Sequence, residues 1–335
     1  MTAPHLDGRA ATTSRRGLFW VGGDRVASPG GTVPRGPMFV AWEAPAGEAR
    51  PLPFVLVHGG GGQGTDYLVT PDGRPGWLTR LVEAGYAGYV VDRPGHGRSP
   101  YHPDVLGPMG GAFPFEAGAG LFAPGPENPA HTQWPGPGGI DDPALEAFMW
   151  GTGPMVADLA AAQALEAERL ARLLDQVGPA VLVTHSAGAG CGWLAAQARP
   201  RQVAALVQIE PAGPPFATIP GVGALEWGLT AAPLAFDPPA AGPDDLRDGT
   251  ARRLVGLPDM PVVVVTGGAS PFATFDEQIV GFLHEHGCAQ AERLHLPDVG
   301  IEGNGHGIML ERNSDEALAA ILAWVEAHVG APAGD

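Results

Sequence analysis

Apolar residues along this chain follow two alternating rhythms. PFVLVH (53–58), AGYVVD (87–92), AVLVTHS (180–186), AALVQIEP (204–211) and PVVVVTGG (261–268) are short, nearly unbroken apolar runs. A strand that is apolar at every position is buried on both faces, as in a parallel sheet. Between them lie segments that read as helices: WLTRLVEAG (77–85), MVADLAAAQALEAERLARLLDQVG (155–178), AGAGCGWLAAQARP (187–200), FDEQIVGFLHEHG (275–287) and SDEALAAILAWVEAHVG (314–330). Gly85 and Gly178 supply helix stops. GLFWVGG (17–23) and PMFVAWEA (37–44) read as two further strands joined by a Gly/Pro loop, and AERLHLP (291–297) as the last strand. Alternating β and α predicts an α/β fold with a mostly parallel, doubly wound sheet of about eight strands.

Three stretches break the rhythm. Residues 1–15 read as a flexible tail, leaving residues 16–335 as one domain. Residues 101–154 and 212–257 are rich in Gly and Pro with aromatics interspersed, too irregular for sheet and too aromatic for a linker. They read as cap insertions that wall a pocket. Phe113, Phe115, Phe122, Trp134, Trp150 and Trp227 are the candidate pocket side chains.

Composition narrows the function. Hydrophobic residues make up 44% and charged residues 16% of the 335, as in a globular protein. The formal net charge of −17 makes nucleic acid and anionic membrane poor partners. All 19 basic residues are arginine. Without lysine there is no P-loop lysine, no Schiff base and no Ser-Lys dyad. Cys191 and Cys288 have no metal-binding spacing; a single disulfide between them stays open. The N-terminus lacks a signal-like apolar core and no run reaches membrane-spanning length, so the expected compartment is the cytoplasm. A homodimer is compatible with everything read so far.

Among six serines, only Ser186 lies between an apolar strand and a small-residue helix, in VLVTHSAGAG. That is the setting of a nucleophile elbow, whose sharp turn needs small residues two before and two after the serine. Gly188 obeys, whereas Thr184 stands where glycine is usual. The competing role for Ser186 is a helix cap. His306, in the glycine-rich loop GIEGNGHGIML after the last strand, is the candidate base. His185 adjoins the serine but should point away from it. His58 and His96 read as loop anchors, and His284 and His286 as solvated surface. For the acid, Glu210 ends the strand QIEPAG, at the edge where sites in parallel sheets gather. Asp276 is the reserve, with Asp298 and Glu302 behind it.

HGGGG (58–62) at first resembles a dinucleotide loop, since Gly59, Gly61 and Gly64 fit G-x-G-x-x-G and Asp92 ends the next strand. A dinucleotide loop would open directly into a helix. Here TDYLVTPDGRPG intervenes. Bare backbone in this loop suits an oxyanion hole instead, with N–H donors from Gly60 and Ala187 and Gly61 in reserve.

Taken in order, LFWVGGDRV, VHGGGGQG, TPDGRPGW, YVVDRPGHGRS, the THS elbow, IEPAG and GNGHGIML followed by ERN resemble the α/β-hydrolase superfamily. More narrowly they look like a bacterial esterase family with a Ser-Glu-His triad and two adjacent cysteines in the oxyanion loop. The resemblance spans most of the chain and implies Ser186 as nucleophile, His306 as base and Glu210 as acid. The adjacent cysteines fall on Gly60 and Gly61, so that disulfide is absent and the loop should be freer. The implied activity is acyl transfer to water through an acyl-enzyme, with no metal or organic cofactor. Substrate identity does not transfer with the resemblance; it is the cap aromatics that point to a small, apolar or aromatic ester or lactone. Alternatives on the same scaffold are an amidase, a C–C bond hydrolase, a cofactor-free lyase or oxygenase, or a non-catalytic ligand-binding protein.

Overall fold

The computed structural model describes residues 12–329. Eight strands form one sheet: β1 (Ser14–Val21), β2 (Met38–Pro45), β3 (Phe54–Val57), β4 (Gly88–Asp92), β5 (Ala180–His185), β6 (Val203–Ile209), β7 (Val262–Thr266) and β8 (Ala291–His295). Their order across the sheet is β1-β2-β4-β3-β5-β6-β7-β8. Pairing is antiparallel from β1 through β2 to β4 and parallel from there on. The unbroken apolar runs are explained by period-two alternation into two separate cores. On β5, Val181 and Val183 join one core and Ala180 and Leu182 the other. Each fully buried branched side chain is worth about 1.5–3 kcal/mol.

Seven helices matter here: α1 (Trp77–Glu83), α2 (Phe115–Phe122), α3 (Pro143–Met149), α4 (Leu159–Val177), α5 (Ala189–Ala198), α6 (Asp276–Glu285) and α7 (Ser314–His328). Trp77 and Leu81 of α1 pack with Leu318 and Ile321 of α7 on one face of the sheet. Leu170 and Leu173 of α4, Trp193 of α5 and Phe282 of α6 pack on the other. The α4 helix begins later than its pattern predicts. The Asp158 carboxylate accepts from Ala161 N–H at 2.9 Å and caps the helix, leaving Met155–Ala157 outside it.

Other details depart from the sequence reading. The β1 strand starts at Ser14, inside the stretch read as a tail, because Ser14 and Arg15 pair with Pro45 and Ala44. Residues 1–11 lie outside the described residues. The Gly/Pro loop after β1 holds a hairpin, Asp24–Ser28 with Gly31–Arg35. His284 and His286 do face different ways, but His286 is buried, with its ring on Phe282 and Nδ1 bonded to Arg252 O. Both cysteines are free and buried.

Candidate active site

The sheet brings its parallel strands to one edge, and the candidate groups gather there. Ser186 follows β5 directly, at φ 53°, a left-handed conformation that a non-glycine residue adopts only under constraint. The departure at Thr184 has a structural answer. Its Oγ1 bonds to Gln208 Oε1 within the sheet. A methyl added at Gly192, on α5, would lie 2.6 Å from the Thr184 methyl. The space that a glycine at 184 would leave is thus supplied by a glycine at 192. Gly188 is small of necessity, since a methyl there would come within 2.3 Å of His58 O.

His306 is fully buried, and its Nε2 lies 2.9 Å from Ser186 Oγ. Its Nδ1 lies 3.3 Å from Glu210 Oε2. Glu210 is also fully buried and left-handed, at φ 47°. Its carboxylate accepts from Gly267 N–H at 2.6 Å and from the Ser270 hydroxyl. Asp276, the reserve acid, instead accepts from Thr266 Oγ1 at 2.8 Å and stands near Arg293 and His295. Asp298 pairs with Arg293. The three separated residues chosen from sequence therefore form one hydrogen-bonded line, and the reserve acids lie elsewhere.

Burial disfavours charge on both members of the buried pair. It pushes the His306 imidazolium down to about 3 and works upward on the Glu210 carboxyl, against the hydrogen bonds from Ser270 and Gly267. The His306 imidazole is thus neutral and able to accept a proton. Phe272 and Phe122 pack on its ring, with centroids 4.3 and 5.2 Å away, and His185 lies 4.7 Å away. His185 is structural, as its neighbour position predicts: its Nε2 donates to His306 O at 3.0 Å.

The glycine loop lies beside the elbow. A methyl at Gly60 would sit 3.2 Å from Ala187 Cβ and 3.0 Å from Met155 Sδ. Among the described residues, Gly60 N–H donates to no acceptor in the protein. Gly61 is at φ 65°, and a methyl there would meet Gly153 O at 2.5 Å. That position has no room for the second of two adjacent cysteines. The expected looseness is offset by other anchors: Gly153 N–H donates to Gly61 O at 2.7 Å, and Gln63 Nε2 to Gly151 O at 2.8 Å.

The six pocket aromatics separate. Phe122 packs on the His306 ring. Phe115 lies edge-on to Trp150, whose side chain is 75% exposed, and Phe113 is half-buried beside the same core. Trp134 does not line a pocket: it is 1% exposed and donates Nε1–H to Asp142 Oδ2 at 2.7 Å, closing the core of the first insertion. Trp227 packs on the opposite core, beside α4–α6. A large aromatic in an irregular segment reads the same whether it lines a pocket or fills a core.

Several supporting residues were not singled out from sequence. Ser270 lies in GGAS, after β7, where an acid was sought and not found. Glu311 is fully buried and accepts from His131 Nε2 and Gly305 N–H through Oε1, at 2.7 and 2.8 Å, and from Asn304 Nδ2 through Oε2, at 2.7 Å. It holds the loop that carries His306. Its only sequence signal is the ERN that follows GNGHGIML.

The fold agrees with known relatives. The family described by the α/β hydrolase fold matches residues 53–245. A fungal protein (Fungal sp., strain ATCC 74256) described as probable secreted lipase phiG is 32% identical over 354 residues, spanning 97% of this chain and 92% of that one. The chain belongs to the α/β-hydrolase family. A solved novel bacterial esterase superposes with a TM-score of 0.72 at 24% identity, covering 96% of this chain and 98% of that chain, which shows the shared fold. The family match and the fungal relative support a serine hydrolase of the α/β-hydrolase type. The expectation of a cytoplasmic protein gains nothing from them, since the fungal relative is described as secreted. Among the described residues no helix is long and apolar enough to cross a membrane.

Proposed function

We propose that this chain hydrolyses a carboxylic ester or lactone through an acyl-enzyme on Ser186. The observation that carries the reading is the 2.9 Å contact between His306 Nε2 and Ser186 Oγ. His306 takes the hydroxyl proton as Oγ adds to the ester carbonyl. Glu210 holds the tautomer with the proton on Nδ1 and stabilises the imidazolium that forms. The Gly60 and Ala187 N–H groups receive the developing oxyanion, each worth ~3 kcal/mol in the transition state. The tetrahedral adduct collapses, His306 gives its proton to the departing alkoxide, and water repeats the cycle on the acyl group.

The apolar surroundings of His306, from Phe122 and Phe272, favour an ester with an apolar or aromatic group next to the carbonyl. The lipase description of the fungal relative points the same way, to acyl esters.

A panel of p-nitrophenyl esters of increasing acyl length tests the proposal. The wild-type protein should turn over several of them, and Ser186→Ala should lose on the order of 10⁴-fold or more in kcat while melting like wild type. A folded wild-type protein inert toward every ester would sink the ester reading and favour an amide or C–C bond substrate.

A further inference from the structure

The oxyanion loop is four consecutive glycines, the backbone most free to turn its peptide planes. One plane is fixed by unusual means. Arg93, 3% exposed, directs Nη2 to Gly59 O at 2.7 Å. Its Nη1 donates to both oxygens of Glu166, at 2.9 and 3.0 Å, and Glu166 is 2% exposed. Arg93 also sets a second donor on the same carbonyl. Its backbone N–H donates to His58 Nε2 at 3.0 Å, so the His58 proton is on Nδ1, which donates to Gly59 O at 2.9 Å. Burial keeps His58 neutral, as this tautomer requires.

Gly59 C=O and Gly60 N–H belong to one peptide unit. In a trans peptide they point in opposite directions, so fixing the oxygen aims the N–H. A charge-assisted bond to the oxygen also polarises the unit and makes its N–H a better donor. We propose that Arg93, held by Glu166, is the positioning residue of the oxyanion hole: it locks the Gly59–Gly60 peptide so that Gly60 N–H faces the space above Ser186. This rests on the ester-hydrolase reading. It adds a residue that never touches substrate yet governs transition-state binding.

The test compares ester and thionoester substrates of identical structure in wild type and Arg93→Met. Sulfur accepts hydrogen bonds poorly, so the ratio of the two rates reports the oxyanion donors rather than overall folding. Arg93→Met should lower kcat for the ester by on the order of 10²-fold, as loss of one oxyanion donor does. KM should stay within about threefold and the ester-to-thionoester ratio should shrink about tenfold or more. Arg93→Lys, which keeps a charged donor, should recover part of that ratio. If Arg93→Met fails to fold with Glu166 left unpaired, Arg93→Met/Glu166→Leu removes both buried charges and should show the same shrinkage. A folded variant with the wild-type ratio overturns the proposal. Crystal structures of the wild-type protein and the variant separate this inference from the ester reading. A Gly59 carbonyl turned in the variant supports the locking role even if wild type is inert on esters. A carbonyl unmoved overturns the role whatever the activity.

Discussion

The two insertions look alike in sequence and differ in what they hold. The first, residues 101–154, is tied at many points to the sheet edge that carries the candidate site. His131 bonds Glu311, Thr132 and Gln133 N–H groups donate to Gly303 O, and Asn128 Nδ2 donates to Ala269 O at 2.7 Å. Gly153 N–H donates to Gly61 O in the glycine loop, and Phe122 packs on His306. The second, residues 212–257, is tied mainly to helices. Gln163 of α4 accepts from Ala231 and Ala232 N–H, Gln197 of α5 exchanges two bonds with Ala235, and Phe216 packs on Phe282 of α6. Its one backbone bond to the elbow is Ala212 N–H to Ser186 O, at its first residue. Similar Gly/Pro-rich composition thus serves two ends: one insertion shapes the site, the other braces the scaffold.

This difference can be broken by paired substitutions. Glu311→Ala strands donors from His131, Asn304 and Gly305 in a buried place. It should cost about 3 kcal/mol or more in urea unfolding and lower kcat on the order of 100-fold by loosening the His306 loop. Its counterpart Gln163→Leu strands two backbone N–H groups of the second insertion. It should cost about 1–3 kcal/mol and leave kcat/KM within about threefold. Equal kinetic damage from both would erase the distinction.

A second pair removes one buried phenylalanine from each insertion. Phe122→Ala and Phe236→Ala should each destabilise by about 3 kcal/mol, since their side chains are 7% and 4% exposed. Only the Phe122 variant should change turnover, by about tenfold, because of these two phenylalanines it is Phe122 that packs on the His306 ring. A kinetic effect at Phe236 with none at Phe122 would reverse the assignment.

The smallest effect concerns the second insertion alone. Hydrogen bonds from Arg252, then from Thr250, hold the Asp248 carboxyl below its ordinary 3.8. A lowered folded-state value means stability is fully present above the unfolded value and is lost as pH falls below it. Asp248 is exposed, so the acid slope it adds is slight. Asp248→Asn should flatten the slope of Tm between pH 4 and more acid conditions and leave ester turnover near neutrality unchanged. An unaltered slope would show that the pairing contributes nothing.

The sheet was legible because its signal is local. A four- or five-residue apolar run such as Phe54–Val57 or Val262–Thr266 needs no distant partner to be recognised as a doubly buried strand. Ser186 and Glu210 were legible for a related reason, each sitting at the end of such a strand, whereas His306 was read from the glycine-rich loop that follows the half-exposed last strand. The insertions were not, because their structure is made by long-range contacts. His131 meets Glu311 across 180 residues, and Asn128 meets Ala269 across 141. Neither partner carries a mark of the other in sequence. Trp134 and His286 were misplaced because residue type alone does not separate a buried, satisfied polar aromatic from one at a site or in solvent. Thr184 was readable as a departure from the usual turn, but its remedy at Gly192 emerges only when α5 is docked on β5.

The central claim is that a base activates Ser186 for attack on an acyl carbonyl. Fluorophosphonate labelling, with the modified peptide mapped by mass spectrometry, tests it most directly, because an unactivated serine reacts poorly. The account predicts stoichiometric modification at Ser186 in the wild-type protein and a rate at least 100-fold slower in a folded His306→Ala variant. Absence of labelling, labelling at another serine, or an equal rate without His306 would contradict it.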